Sequence, residues 1–395
     1  MTAVAGLDHI TIVPVRVSVK TTWCFVRLEG RDGIIGLGEA TAFGEEGTVQ
    51  RQIGALAGPL AAMTAPKARA RIFQAMAQAT CDGERAALSA LDQALLDVSA
   101  RRQGRSVAAL LGACGKAPVR VYANINRGTS DRSPEGHATR AQAAVAAGYD
   151  AIKLAPFDGV RDGEPLDAVQ TGIDRVLAVR ERVGPNVAIA VDCHARFQEE
   201  AAKAVITSLA PAHPIWIEEP LPETADNAPA LKRLRHHANN RGIMTAGAET
   251  VTGLGEVEAH IAAGGMDVLL PDIRFCGGVE SALAIAERVD AAGLHFSLHN
   301  PVGPVLDAVS LGVASIAPAM IMVERTFREA PLQSRLRHRP WQTPTRQDLG
   351  HTPPPAGAST CHRTPWTGWA FWRSALRGWA YEERAIPIWN THRWS

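Results

Sequence analysis

Eight polar residues, Asn124, Lys153, Asp192, Glu218, Glu249, Asp272, His299 and Glu324, each close a short apolar run, and they recur 23 to 39 residues apart. Three in succession are carboxylates. If Asp192, Glu218 and Glu249 face one volume they repel unless a cation is bound, and hard oxygen donors without cysteine suit Mg2+, with Mn2+ a substitute. Adjacent strand residues face opposite ways, so the choice between Glu218 and its neighbour Glu219 stays open. Asp272 and His299 would set a carboxylate beside an imidazole, which orients the ring and raises its basicity toward a general base near neutrality. His194, two residues after Asp192, falls on the same side of the chain as a second acid or base, or as a support for the ligand. Lys153 is one of only six lysines and could neutralise a substrate carboxylate, or merely cap its strand. Asn124, Asn126 and Arg127 in YANINRGT offer polar substrate contacts. Glu324 could donate to a substrate oxygen if protonated, or serve as an ordinary ion-pair partner.

The spacing of these residues is that of one β/α unit. The runs VRVYANIN, YDAIKLAP, VAIAVDCH, PIWIEEP, IMTAGAE, MDVLLPD, LHFSLHN and AMIMVE alternate with Ala-rich amphipathic stretches such as HATRAQAAVAAG. Eight such units predict a barrel of parallel strands whose polar C-terminal ends converge on one mouth. Upstream, residues 7–42 read as three β segments, the last two a hairpin, and residues 47–112 turn helical, most clearly in ERAALSALDQALLDVSARRQG. That order predicts a small α+β domain. The divisions expected are 1–117 for this domain, 118–330 for the barrel and 331–395 for a tail. GLGEAT at 36–41 ends a strand without opening a GxGxxG helix, which argues against a dinucleotide-binding sheet.

With 395 residues, 46% hydrophobic and 21% charged, the chain can bury a large core. A formal net charge of +1 gives no electrostatic case for nucleic acid or an anionic membrane, so a small neutral or anionic ligand is the expected partner. Six scattered cysteines form no CxxC pair, no apolar run approaches a membrane span, and the first residues lack the features of a signal peptide; a soluble protein of the cytoplasm is expected. The tail from Pro331 holds seven of the nine tryptophans and no lysine, with no period of either kind. Its composition is that of an out-of-frame reading, and a frameshift near residue 332 is the expectation, with a genuine extension the alternative.

At GLGEA, AIKLAPFDGV, VDCHARF, WIEEPLP, AGAET, LLPDIRFCGG and SLHNPVGPV, in that order, the chain resembles the enolase superfamily in its mandelate racemase-like branch of acid-sugar dehydratases. The resemblance implies a modified (β/α)7β barrel with an α+β cap, loops near 15–22 and 42–48 closing the site, and assembly as a homo-oligomer. It implies Asp192, Glu218 and Glu249 as Mg2+ ligands, His299 with Asp272 as the base dyad, and Glu324 as the eighth-strand acid. Racemases of the branch carry a second lysine where this chain has Ala155, whereas galactonate-type dehydratases match DCHARF, with His194 protonating the departing hydroxyl. The implied reaction is removal of the proton α to a carboxylate, an enediolate, and loss of water to a 2-keto-3-deoxy acid. An epimerase, racemase or cycloisomerase on the same scaffold, and a catalytically weak binding protein, are the alternatives.

Overall fold

The computed structural model describes residues 7–112, 119–160 and 166–330. The tail, and with it the expected frameshift, lies outside the described residues. Three strands, β1 (Leu7–Arg16), β2 (Thr22–Gly30) and β3 (Ile35–Glu39), form an antiparallel sheet in chain order, followed by helices α1 (Glu46–Ala61), α2 (Ala65–Met76), α3 (Asp82–Arg102) and α4 (Val107–Leu110). The Ala-rich α3 is buried along most of its length and lies directly on β3. A Cβ at Gly36 would stand 2.1 Å from the Ala94 carbonyl oxygen, and one at Gly38 would stand 1.9 Å from that of Ala90, so only glycine permits the approach. As β3 is the sheet's edge, its outward N–H groups need partners. Helix α3 supplies them: Asp97 accepts from Leu37 N at 3.0 Å and Gln93 Oε1 from Glu39 N at 3.0 Å.

The barrel alternates β4 (Val121–Asn124), α5 (Pro134–Ala146), β5 (Ala151–Leu154), α6 (Leu166–Val183), β6 (Ala188–Asp192), α7 (Glu199–Leu209), β7 (Trp216–Glu218), α8 (Ala228–Asn239), β8 (Met244–Gly247), α9 (Leu254–Ala263), β9 (Val268–Leu269), α10 (Val279–Ala291), β10 (His295–Leu298), α11 (Pro304–Ala314) and β11 (Met320–Thr326). The eight strands close in the order β10-β11-β4-β5-β6-β7-β8-β9, so the architecture is (β/α)7β beneath an α+β cap. The barrel interior is plugged by Tyr122, Ala190, Trp216, Ala246, Val268, Leu270 and Met322, bulky rings set among small side chains, while Ile152, Ile189, Val191 and Ile217 point outward to the helices. The period of two that buries Tyr122, Ala190, Trp216 and Met322 carries Asn124, Asp192, Glu218 and Glu324 to the layer above.

The eight marker residues do not all end strands. Asn124, Asp192 and Glu218 do, but Lys153 is penultimate in β5 and Glu324 lies within β11, while Glu249, Asp272 and His299 follow the last residues of β8, β9 and β10. The reason is local in β8, where Ala248 takes a left-handed φ of 71° that ends the strand and redirects Glu249. No described helix is long and apolar enough to cross a membrane.

Cap and barrel are joined by a fully buried carboxylate. Glu39, at the end of β3, accepts from the backbone N–H of Gly303 at 2.7 Å, Val305 at 3.1 Å and Leu306 at 3.0 Å, and from the Thr41 hydroxyl at 2.7 Å. These are the unpaired donors at the start of α11, whose first residue, Pro304, has no N–H to offer. Burial raises the Glu39 pKa, and the same hydrogen bonds oppose that rise. Glu39→Ala strands three buried donors and is expected to lower the unfolding free energy by about 3 kcal/mol or more in urea melts; a loss below about 1 kcal/mol, the net worth of one hydrogen bond, would contradict this role.

Candidate active site

Lys153 lies at the floor of the mouth, 1% exposed, with its ammonium 2.7 Å from Glu218, 3.3 Å from Glu324 and 3.7 Å from Asp192. Burial disfavours its charge, but Glu218 and Glu324 more than offset that and raise its pKa well above the ordinary value. Asp192 is likewise opposed by burial, and Lys153 and His194 hold it down to about 2. Glu218 is pushed up to about 8 by burial, against the pull of Lys153. Both of its oxygens are engaged, one by Lys153 and the other by the Trp216 indole N–H at 3.1 Å. Glu219 is pushed up to about 10, first by burial and then by Glu249 and Glu223.

The chain turns sharply where it leaves these strands. Among the described residues seven non-glycine positions have positive φ, and four of them, His194, Ala195, Glu219 and Ala248, follow β6, β7 and β8. Such conformations cost on the order of 1–3 kcal/mol each and persist only where surrounding bonds fix them. Here they are fixed: Asp192 Oδ1 accepts from His194 N at 2.9 Å, Ala195 N donates to the Glu219 carbonyl at 2.7 Å, and Glu223 accepts from Ala248 N through both oxygens at 3.1 and 3.0 Å. The His194 ring folds back so that Nε2 is 2.9 Å from Asp192 Oδ2. Asp192 and Glu218 are direct neighbours in the β6–β7 register.

Across the mouth, His299 Nδ1 donates to Asp272 at 2.9 Å, and its Nε2 faces Glu249 at 3.1 Å. Burial would lower the pKa of this ring, but Glu249, Glu324 and Asp272 raise it to about 9. Asp272 is held at about 2 against burial, chiefly by Arg274 and His299. Glu324, which burial would raise, is held below its ordinary value by Lys153, His299 and Asn124. It is therefore ionised in this arrangement and accepts from Asn124 and from Asn300 N, rather than donating.

The residues expected to touch substrate divide. Asn124 braces Glu324, and Asn126 is turned inward, its side chain accepting from Ala155 N and its backbone N donating to Asn124 at 2.9 Å. Arg127 faces the cap, stacked 3.6 Å over the Phe43 ring and donating to Thr21 at 3.0 Å. Both expected cap loops thus reach the mouth, and Ser18 adds a bond to Glu329 at 2.7 Å. Sequence reasoning missed Arg274, Glu39, Glu223 and Asn300. An arginine two residues after Asp272 was the one available signal, and it reads as an ordinary loop residue without knowledge of what packs on it.

A cation suits this donor set by chemistry. Asp192, Glu218, Glu219 and Glu249 are oxygen donors converging from three adjacent strands, and two of them, Glu218 and Glu219, are forced up in pKa first by burial and then by neighbouring carboxylates. As the side chains stand, however, among the described residues no three carboxylate, imidazole or thiol groups are gathered around one point. Asp192 is turned to His194, Glu218 to Lys153 and Glu249 to His299, so holding an ion requires these side chains to turn from their present partners.

A closed (β/α)7β barrel with an α+β cap, carboxylates on successive strand ends and a His–Asp pair opposite them define a capped-barrel enzyme architecture. Residues 137–358 match the family described as enolase C-terminal domain-like, and residues 2–112 match the mandelate racemase / muconate lactonizing enzyme N-terminal domain. The chain belongs to the enolase superfamily. It is 31% identical over 61% of its length to a D-gluconate dehydratase of Thermoproteus tenax, of whose length the match spans about half, 47%. It is 28% identical to a D-galactonate dehydratase of Xanthomonas campestris pv. campestris, over 77% of this chain and 78% of that one. A crystal structure of a mandelate racemase/muconate lactonizing enzyme from Jannaschia sp. superposes with a TM-score of 0.73 at 25% identity, over 84% of this chain and 89% of that one. A counterpart from Sulfitobacter sp., at 23% identity and TM-score 0.73 over 84% and 87%, shares the fold.

Removing Lys153 tests the electrostatic account. Lys153→Met leaves Asp192, Glu218 and Glu324 without their common cation, and the unfolding free energy of metal-free protein is expected to fall by about 3–5 kcal/mol. A change below about 1 kcal/mol, as for a surface pair, would contradict it.

Proposed function

We propose that the protein is a Mg2+-dependent dehydratase of an acid sugar. The observation that carries this reading is the placement of two imidazoles. Strands β6 and β10 lie four apart in the eight-membered ring, so His194 and His299 approach the mouth from opposite sides, each bonded to a carboxylate that could hold a cation. One base and one acid facing each other suit elimination of a proton and a hydroxyl from neighbouring carbons. Ala155 leaves the second strand without the lysine that two-base racemisation would use. The names of the dehydratases of Thermoproteus and Xanthomonas favour the same reaction class.

In this reading Asp192, Glu218 and Glu249 would hold the metal, which would supply the positive charge that stabilises a carboxylate as its α-proton leaves. Lys153 assists in binding the substrate carboxylate. His299, oriented by Asp272, removes the proton α to it. Glu249 faces His299 Nε2 and is the first of the anions that raise the ring's pKa, so drawing that carboxylate toward a bound cation would favour the basic form. His194 protonates the 3-hydroxyl as it leaves as water, and the enol becomes a 2-keto-3-deoxy acid. Arg127 and the cap loops enclose the far end of the substrate.

A screen of aldonic, aldaric and uronic-derived acids with Mg2+, reading 2-keto acid by semicarbazide and α-exchange in D2O, checks this. A keto product is expected, lost in His299→Asn and after chelation of the metal. His194→Asn is expected to keep α-exchange while losing at least about a hundredfold in product, the usual worth of a general acid. Exchange without any water loss in the wild type would replace this reading with an epimerase, and Mg2+ binding without exchange of any acid would replace it with a binding protein.

A further inference from the structure

The three residues that follow Asp272 are all anchored in the cap. Ser89 of α3 donates to the Ile273 carbonyl at 2.7 Å. Arg274, 2% exposed, donates through Nη1 to the Thr41 carbonyl at 2.6 Å, just beyond β3. The Phe275 ring is buried in the cap's own apolar cluster and lies 4.5 Å under the Arg274 guanidinium. Two further donors of the guanidinium return to Asp272: Nε bonds Oδ1 at 2.9 Å and Nη2 bonds Oδ2, while the Arg274 backbone N–H also reaches Oδ1 at 2.8 Å. Asp272 Oδ2 is the same oxygen that accepts from His299.

We infer that Arg274 is a positioning residue through which the docked cap holds the His299–Asp272 pair in working orientation. A carboxylate on a loop just past a two-residue strand has two free side-chain torsions and little backbone support. The planar guanidinium removes that freedom by gripping both oxygens at once through Nε and Nη2, and Nη1 ties the grip to Thr41. Thr41 in turn donates to Glu39, which binds the start of α11 five residues beyond His299. The polar chain thus leaves the barrel at Asp272, crosses the cap, and re-enters beside the segment that carries the histidine. In consequence the cap does more than cover the mouth: without it, both members of the pair lose an anchor.

The functional consequence rests on the dehydratase reading, but the geometry can be tested without activity. The imidazole proton shared with Asp272 is expected as a downfield proton resonance of metal-free protein, assigned by its absence in His299→Asn. In Arg274→Met, which keeps volume and removes the fork, that resonance is expected to move upfield or vanish. With a turned-over acid, kcat of Arg274→Met is expected to fall about a hundredfold, the effect of misplacing a reacting group by about an ångström. KM should stay within about threefold, the pattern of an interaction made in the transition state alone. Combining Arg274→Met with Asp272→Asn should slow the enzyme no further than Asp272→Asn alone, because the arginine acts through the aspartate. An unshifted resonance, or a kcat within about threefold of wild type where Asp272→Asn is slow, would overturn the inference. Should Arg274→Met fail to fold, Arg274→Lys, which keeps the charge but lacks the planar fork, is read by the same two criteria. If the wild type turns over no acid, the dehydratase reading falls, and the resonance still decides the role of Arg274.

Discussion

The arrangement depends on one constraint: the barrel mouth gathers six carboxyl groups where burial works against ionising them, and Glu218 and Glu219 are pushed up in pKa chiefly for that reason. Asp192, Glu218, Glu219, Glu249, Asp272 and Glu324 meet there, and Lys153 and Arg274 each compensate a different part of the set. A cation in reach does not by itself decide the outcome: Asp192 and Asp272 are held at about 2, whereas Glu218, 2.7 Å from Lys153, is pushed up to about 8 by burial. Where burial and neighbouring anions prevail a carboxyl group is driven up, as with Glu219 at about 10. A closed parallel barrel makes such crowding unavoidable, because side chains one layer above the plugged interior have nowhere to point but toward the axis. Left-handed turns at His194, Ala195, Glu219 and Ala248 add local strain at the same place, in keeping with a site organised for chemistry rather than stability.

Much of this was legible in the chain. Strand period and unit spacing located all eight barrel strands and the layer of polar residues, since both follow from the pleat and from the length of a β/α unit. The three β segments and helices of the cap were equally plain. What escaped was whatever depends on contact between distant segments. Nothing in GLGEAT says that Glu39 will cap a helix starting at Pro304, and nothing in PDIRF says that Arg274 will reach Thr41. The polar stretch that makes Asn124 and Asn126 candidate substrate contacts does not show that Asn124 donates to Glu324 and accepts from Asn126 N, or that the Asn126 side chain accepts from Ala155 N. Alternation alone leaves open which of the adjacent Glu218 and Glu219 would face an ion, and the chain turns left-handed at Glu219, with a φ of 42°, just where that choice is made.

The two domains divide the work along these lines. The barrel supplies the charged side chains and the opposition of His194 to His299, which follow from strand order alone. The cap supplies restraint, through Ser89 and Thr41 on one side of the dyad and Glu39 on the other. On the inference drawn from Arg274, cap docking and the orientation of the His299–Asp272 pair are one structural event, and substitutions at Glu39 reach that pair through α11 as well as through stability.

The most direct test of the account is calorimetric titration of Mg2+ into metal-free protein and into Asp192→Asn, Glu218→Gln, Glu219→Gln and Glu249→Gln. The account predicts one divalent site whose affinity drops at least about tenfold, some 1.4 kcal/mol, in Asp192→Asn, Glu218→Gln and Glu249→Gln. It predicts a smaller change in Glu219→Gln. Absence of binding to the wild type, or equal affinity in all the variants, would show that the carboxylates at the mouth are not gathered for a cation.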